Sequence, residues 1–443
     1  MDYTDILILG AGPTGLGAAW RAQEIGRDWL IAEASTTPGG MASTAVDDHG
    51  FRWDIGGHVI ASHFPYFDEV VRELITDWSY PQRSAWVQLD GNPAMIPAPI
   101  QQNLHAMRIA AEDITLIEDV DPSNLEEYHQ ANFGTLLNDR FFRPYNTKMW
   151  ATRPRDMDHS WTSLRGGSAM ANVPPLRTGN LSKVQDRSFI AYPTKGTGVI
   201  WDELYARLNP TKKLLGLMAM SVDVDAHVVT FENGYQVTYK ELISTMPLNE
   251  LLSMTADPLH SMMRRELKHS SIVIFGLGFA GVPPRVLAGK SYVLNADPNV
   301  PWHRLTMLSN YSAAMAPKGC WSALLEISHG EAKQLPSDYL DQCVESLAAM
   351  GAPRYHESRF LKRLKLGYPV PTIGLNDTLG DLQADLLEND IRARGRFGGW
   401  RYQSSNQDYA FMQGVQAVDG GEEGAYWHPE DARNSNQLTE ARS

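Results

Sequence analysis

Residues Asp5–Glu33 read DILILGAGPTGLGAAWRAQEIGRDWLIAE. The apolar run Ile6–Leu9 is short and stops at Gly10, the pattern of a parallel strand buried on both faces. Gly10-Ala11-Gly12-Pro13-Thr14-Gly15 follows, then a helical stretch to about Ile25 and a second strand, Trp29 to Ala32, ending in Glu33. In such a unit Gly10 permits a tight turn, Gly12 lets a pyrophosphate approach the backbone, and Gly15 lets helix and strand pack closely. The free N–H groups at the helix start face the phosphates. Glu33 is placed to accept from a ribose 2′-hydroxyl, which disfavours a 2′-phosphate, so the expected occupant is FAD or NAD.

Two further glycine pairs lie downstream, in Thr37-Pro38-Gly39-Gly40-Met41-Ala42-Ser43 and in Asp54-Ile55-Gly56-Gly57-His58. Such pairs let the backbone pass close to a planar ligand, a habit of proteins that hold FAD as a prosthetic group. Near the other end stands Arg394-Gly395-Arg396-Phe397-Gly398-Gly399-Trp400-Arg401-Tyr402, followed by Ser405-Asn406-Gln407-Asp408. A helix starting near Asn406 would offer a second positive N-terminus. Arg396 could pair with a pyrophosphate, or the segment could be a surface strand with cation–π pairs.

Between these ends the pattern predicts helices over Tyr66–Thr76, Leu125–Phe142 and 337–350, and strands over Lys183–Tyr192, Val222–Phe231, 271–279 and 320–328. Asn233-Gly234 supplies a hairpin turn. A helix is expected from about Gln407 to Val418, with a polar tail from Gly420.

The 443 residues carry 39 Lys and Arg against 52 Asp and Glu, a net charge of −13. That balance argues against a nucleic-acid or anionic-membrane partner. Hydrophobic residues make up 43%, enough for a large core. The two cysteines, Cys320 and Cys343, allow neither a disulfide framework nor a structural zinc site, and no metal is expected. No apolar run of about 18 residues exists and the N-terminus has no basic leader, so a cytoplasmic location is expected.

Taken together, GAGPTGLGAA, TPGGMAST, DIGGHVIASH, RPYNTKMWA, YPTKGTG, RLTMLSNYS, GYPVPT and RGRFGGWRYQSSNQDYAFMQGVQAVD resemble the UDP-galactopyranose mutases of the eukaryotic type, over roughly residues 4–420. The resemblance implies an α/β fold in which a Rossmann-like FAD-binding domain interweaves with a helical domain and a twisted antiparallel sheet. The expected segments are 1–60, 183–265 and 366–425 for FAD binding, 61–182 for the helical part, 266–365 for the sheet and 426–443 for the tail. It also implies an isomerase: N5 of reduced FAD attacks the anomeric carbon of a nucleotide sugar, and pyranose and furanose interconvert with no net redox change.

By motif position Arg165 and Arg304 resemble the arginines that clamp the diphosphate, and Tyr311, Tyr368 and Tyr402 the phenols around it. His58 falls on a loop beside the flavin. Gln101, Asn146 and Trp150 match positions lining the nucleotide and sugar pocket. Gly10, Gly12, Gly15, Glu33, Gly40, Ser43, Gly57, Arg396, Asn406 and Gln407 fall on FAD-contact motifs. Arg83 matches an arginine associated with NADPH, the reductant expected in the eukaryotic type.

The chain departs from the family pattern at Ala61, Ala98 and Ile100, where aromatic residues are expected, and at Leu294, where a tyrosine is. The loop between Arg165 and Tyr192 is shortened. These departures leave room for another substrate, with a different sugar or with GDP or dTDP as the nucleotide. More distant alternatives are an amine-oxidase-type flavin oxidase and a flavoprotein that only senses redox state.

Overall fold

A computed structural model describes residues 2–60, 62–89, 95–107, 114, 121–163, 190–330, 335–402 and 406–421. The opening unit folds as the glycine spacing requires: strand β1 (Asp2–Leu9), helix α1 (Pro13–Glu24) and strand β2 (Trp29–Glu33). β1 sits inside a seven-stranded sheet, parallel to β2 on one side and to Gln236–Ser244 on the other. Its residues Ile6, Leu7 and Ile8 are fully buried, because helices cover one face and a second core covers the other. Strands from Lys213–Leu215, Ala219–Asp223, Val228–Phe231 and Ile391–Ala393 complete this sheet.

Helix Gln407–Val418 crosses α1 so closely that a Cβ on Gly414 would stand 1.9 Å from the Thr14 carbonyl oxygen. All its residues are buried, the polar Gln407, Asp408, Gln413 and Gln416 included. The crossing brings the N-termini of two 12-residue helices to the same end of the sheet.

A second seven-stranded sheet runs in the order Ser358–Pro369, His269–Ala280, Cys320–His329, Arg304–Thr306, Tyr292–Asn295, Ala85–Gln88, Ile96–Pro97. All its ladders are antiparallel except Tyr292–Asn295 with Ala85–Gln88, which is parallel. Gly276 and Gly278 stand within its continuous strand His269–Ala280 for a packing reason. A Cβ on either would lie 2.5 Å from the ring of Trp53 or Phe51. These two rings belong to the arm that leads into Gly56–His58, so the contact sets that loop on the second sheet at the border with the first.

Two predicted elements differ. Val222–Phe231 is a hairpin, Ala219–Asp223 paired with Val228–Phe231, rather than one strand. Of the strand predicted over Lys183–Tyr192, residues 183–189 lie outside the described residues, and the pairing seen is Tyr192–Pro193 with Trp78–Ser79. The polar tail beyond 421 also lies outside them. The helices Pro65–Leu74, Tyr339–Ala349 and Gln407–Val418 stand where they were predicted, and the one predicted over Leu125–Phe142 is there with a kink at Gly134 and a π-helical last turn, Asn138–Phe142. Among the described residues no helix is long and apolar enough to cross a membrane.

Candidate active site

A cleft of about 530 Å³ opens at the carboxyl end of β1 and β2. Gly10, Gly12, Glu33, Gly40, His58, Arg396 and Gln407 all line it. Gly10 has φ +102°, a conformation that suits glycine, and a Cβ on Gly15 would stand 1.9 Å from the Gly10 carbonyl oxygen. A Cβ on Gly12 would meet nothing within 4 Å, so this position borders open space. Ser43 sits just behind, its hydroxyl donating to the Gly40 carbonyl at 2.8 Å.

The cleft suits an extended dinucleotide. Helix α1 begins after Gly12 and the later helix after Asn406, and among the described residues neither start has a side-chain cap. Their first N–H groups are therefore left for an anion. Gln407 Oε1 accepts from Trp201 Nε1 at 2.7 Å, while its buried Nε2 has no hydrogen-bond partner among the described residues. Glu33 is held by the N–H groups of Ala11 and Ser35, both at 2.7 Å, which fixes its carboxylate at the rim. Met218, Met246 and Met254 give the far end an apolar wall. These features fit FAD.

Beside His58 the cleft meets a second constellation. Arg304 donates through Nη2 to the Gly57 carbonyl, and its Nε lies 3.5 Å from Glu326 Oε1. Glu326 also accepts from the Gly57 N–H at 3.0 Å and from the Tyr368 hydroxyl at 3.3 Å. Burial is the largest influence on Arg304 and opposes its charge, but Glu326 together with the hydroxyls of Tyr311, Tyr292 and Tyr368 outweighs it and holds the guanidinium firmly protonated. Burial likewise favours a neutral Glu326. Arg304, His303 and the Gly57 N–H reverse this and keep its pKa below the usual carboxylate value.

The phenols gather here. The Arg396 guanidinium lies 4.8 Å over the Tyr368 ring. Tyr402 stands 4.7 Å from Trp150 and 6.0 Å from Tyr368, centroid to centroid. Trp150 Nε1 donates to Asn146 Oδ1 at 3.1 Å, which ties the two side chains together on helix Arg143–Trp150. Tyr311 stacks obliquely on Tyr192, whose hydroxyl donates to Asp54 at 2.6 Å. Burial pushes Tyr311 up to about 12 against the pull of Arg304, and it raises Tyr368 and Tyr402 too. At neutral pH all three are O–H donors rather than phenolates.

His58 is neutral for a related reason. Burial lowers its pKa, Glu326 raises it, and Arg396 and Arg304 lower it again. Its Nε2 stands 3.1 Å from the Ile55 carbonyl, so this nitrogen carries the proton and donates.

The structure thus brings together Arg304, Tyr311, Tyr368, Tyr402, Trp150, Asn146, Gly57 and His58 at the border of the glycine-lined cleft. Gln101 is buried in the turn Ile100–Gln102. Arg165 and Ala61 lie outside the described residues. Arg83 donates to the Tyr292 hydroxyl at 2.9 Å.

Sequence reasoning passed over Glu326, although it carried a signal. Glu326 is the lone acid inside the apolar run Trp321–Ile327, and an acid in a strand buried on both faces needs a cationic partner.

Comparison with known proteins agrees with the geometry. Residues 8–74 match the family model described as an NAD(P)-binding Rossmann-like domain. A crystal structure of a reduced UDP-galactopyranose mutase superimposes with a TM-score of 0.86 at 34% identity, covering 94% of this chain and 95% of that one. A putative protoporphyrinogen oxidase from Exiguobacterium sp. (TM-score 0.70, 16% identity) covers 94% of this chain and 98% of its own. A cyclohexylamine oxidase from Brevibacterium oxydans (TM-score 0.70, 15% identity) has the same coverage. At those identities the two oxidases share the fold alone.

Proposed function

The chain belongs to the UDP-galactopyranose mutase family, and from that premise we propose that it interconverts UDP-galactopyranose and UDP-galactofuranose on reduced FAD, with no net redox change. Membership makes it a flavin-dependent isomerase; substrate and mechanism are our reading. The observation that carries the reading is the position of Arg304: held charged by Glu326, bonded to the peptide beside His58, and ringed by neutral phenols at the edge of the FAD cleft.

Reduced FAD supplies a nucleophile, N5, for the anomeric carbon of the sugar. This chain's residues do the rest. Arg304, with Arg165 as its proposed partner, meets the negative charge that grows on the departing diphosphate. Such preorganised charge acts on the transition state more than on the ground state. Tyr311, Tyr368 and Tyr402 donate to the same oxygens and keep them oriented while the sugar rearranges. The Trp150–Asn146 pair, with Gln101, forms the proposed wall for nucleotide and sugar. Gly10, Gly12, Gly15, Glu33, Gly40, Ser43, Gly57, Arg396, Asn406 and Gln407 are the proposed FAD contacts. His58, neutral and tied to Ile55, fixes the loop that carries Gly57. The eukaryotic type, with NADPH as reductant and Arg83 as its contact, completes the proposal.

A second reading keeps the chemistry and changes the nucleotide sugar. It is favoured by Leu294, which stands directly opposite Arg304 in the ladder as a buried aliphatic residue where the pattern expects a phenol. An amine oxidase gains nothing from the cationic wall formed by Arg304 and Arg396.

The test is anaerobic conversion. Protein reduced with dithionite is incubated with UDP-galactofuranose and followed by anion-exchange chromatography. Formation of the pyranose is the expected result. FAD bound and reduced, with no turnover of this sugar but turnover of a GDP or dTDP sugar, would establish the second reading. No turnover of any of them would sink both.

A further inference from the structure

One ring at the clamp is explained neither by the glycine motifs nor by the phosphate-facing phenols. The strand Tyr292–Asn295 runs antiparallel to Arg304–Thr306, with Tyr292 opposite Thr306 and Leu294 opposite Arg304. Side chains alternate along a strand, so residues 292 and 294 share one face. Leu294 is buried and offers no group to a cation. Tyr292 does. Its ring centroid is 4.9 Å from Arg304 Cζ and 5.9 Å from Arg83 Cζ, and its hydroxyl accepts from Arg83 Nη2 at 2.9 Å.

The ring therefore lies in reach of two guanidiniums. A π-face attracts a cation and also defines the plane in which a guanidinium rests. Arg304 already uses Nη2 on the Gly57 carbonyl and turns Nε toward Glu326. Those contacts hold its edge, and Tyr292 adds a contact to the aromatic face. Arg83, reaching over from beside the parallel neighbour Ala85–Gln88, anchors the far end of the ring through the hydroxyl.

We propose that Tyr292 is a positioning residue for Arg304, itself aimed by Arg83, and that the stack sets the angle at which Arg304 meets a nucleoside diphosphate. The proposal rests on the reading of Arg304 as the diphosphate clamp. It assigns no ligand contact to Tyr292.

The experiment uses dithionite-reduced holoenzyme and UDP as the probe, with FAD content, the Kd for UDP, and kcat and KM for UDP-galactofuranose measured together. In Tyr292→Met the volume is roughly kept and the π-face is lost. The expected result is about a tenfold weaker Kd for UDP and a parallel rise in KM, with FAD content unchanged. Tyr292→Phe keeps the face and loses the bond to Arg83, and its Kd for UDP is expected to fall between those of the parent and Tyr292→Met; a Kd equal to the parent's would overturn the role given to Arg83. In Tyr292→Met/Leu294→Tyr the ring returns to the same strand face opposite Arg304, and part of the affinity is expected back. A merely structural role would not give that rescue.

If Tyr292→Met binds UDP as the parent does while Arg304→Ala does not, the inference is wrong and the clamp stands. If Arg304→Ala also binds normally, the clamp reading fails and takes the inference with it. Should Tyr292→Met lose FAD, Tyr292→Leu replaces it under the same criteria. If that too loses FAD, the ring serves the fold and the proposal is overturned.

Discussion

The Arg304 guanidinium donates to the carbonyl oxygen of Gly57, whose own N–H donates to Glu326 at 3.0 Å. One residue is thus gripped at both of its backbone polar groups by an ion pair, and it directly precedes His58, which lines the glycine-walled cleft. The grip has no room for a side chain. A Cβ on Gly57 would stand 2.2 Å from Thr306 Oγ1 and 2.7 Å from Arg304 Nη2.

Gly57→Ala is accordingly expected to push Arg304 off its seat. Thr306 is packed in the sheet and cannot retreat, so the arginine must. The expected outcome is a loss of kcat on UDP-galactofuranose of at least about tenfold, since small displacements of a catalytic group can cost up to about 100-fold. Retained turnover, with FAD bound, would show that the contact can relax without consequence.

Arg304→Ala is expected to lower kcat by roughly 100- to 1,000-fold, the range for removing one preorganised donor from a developing anion. FAD should remain, because Arg304 is not among the residues lining the dinucleotide cleft. The flavin absorbance and the conversion assay on one sample separate the two effects. Loss of flavin together with activity would move Arg304 from the clamp to the cofactor site.

Glu326→Ala removes the buried anion and leaves Arg304 charged without its counterion. Breaking one side of a buried pair costs about 3–5 kcal/mol. A lowered melting temperature is expected, with a smaller drop for Glu326→Gln, which can still accept from the Gly57 N–H. Equal melting temperatures for all three proteins would mean that Arg304 finds another partner at no cost.

How much of this was legible beforehand follows from how local each device is. The cofactor cleft is built by backbone in consecutive residues, so Gly10, Gly12, Gly15 and Glu33 announce it, and Gln407 opens a helix where the text turns periodic. The proposed clamp is another matter. Arg304 and Tyr402 meet only after several chain reversals, and no spacing rule joins them; the motifs of the family did. Tyr292 needed the strand register, which pairs Leu294 and not Tyr292 with Arg304. Val222–Phe231 was read as one strand because alternation continues through the turn. The turn is made without glycine, by His227 at φ +52°.

The last expectation concerns pH. His129 is buried in helix Leu125–Leu137 and stacks on Phe142 at 4.7 Å, with no hydrogen-bond partner at Nδ1 among the described residues. Burial alone pushes its pKa down from 6.5 to about 3. The unfolded chain therefore takes up this proton near pH 6.5, while the folded chain refuses it until about pH 3. A base whose folded pKa is depressed costs stability as pH falls, so the penalty starts below 6.5 and grows toward 3. Between pH 7 and pH 5 it amounts to about 2 kcal/mol. His129→Phe keeps the ring stack and removes the titration. The stability of the variant relative to the parent is then expected to rise by about that amount between pH 7 and pH 5. Chemical denaturation of both proteins at the two pH values measures it. An unchanged difference would mean that the imidazole is protonated in the folded protein by pH 5.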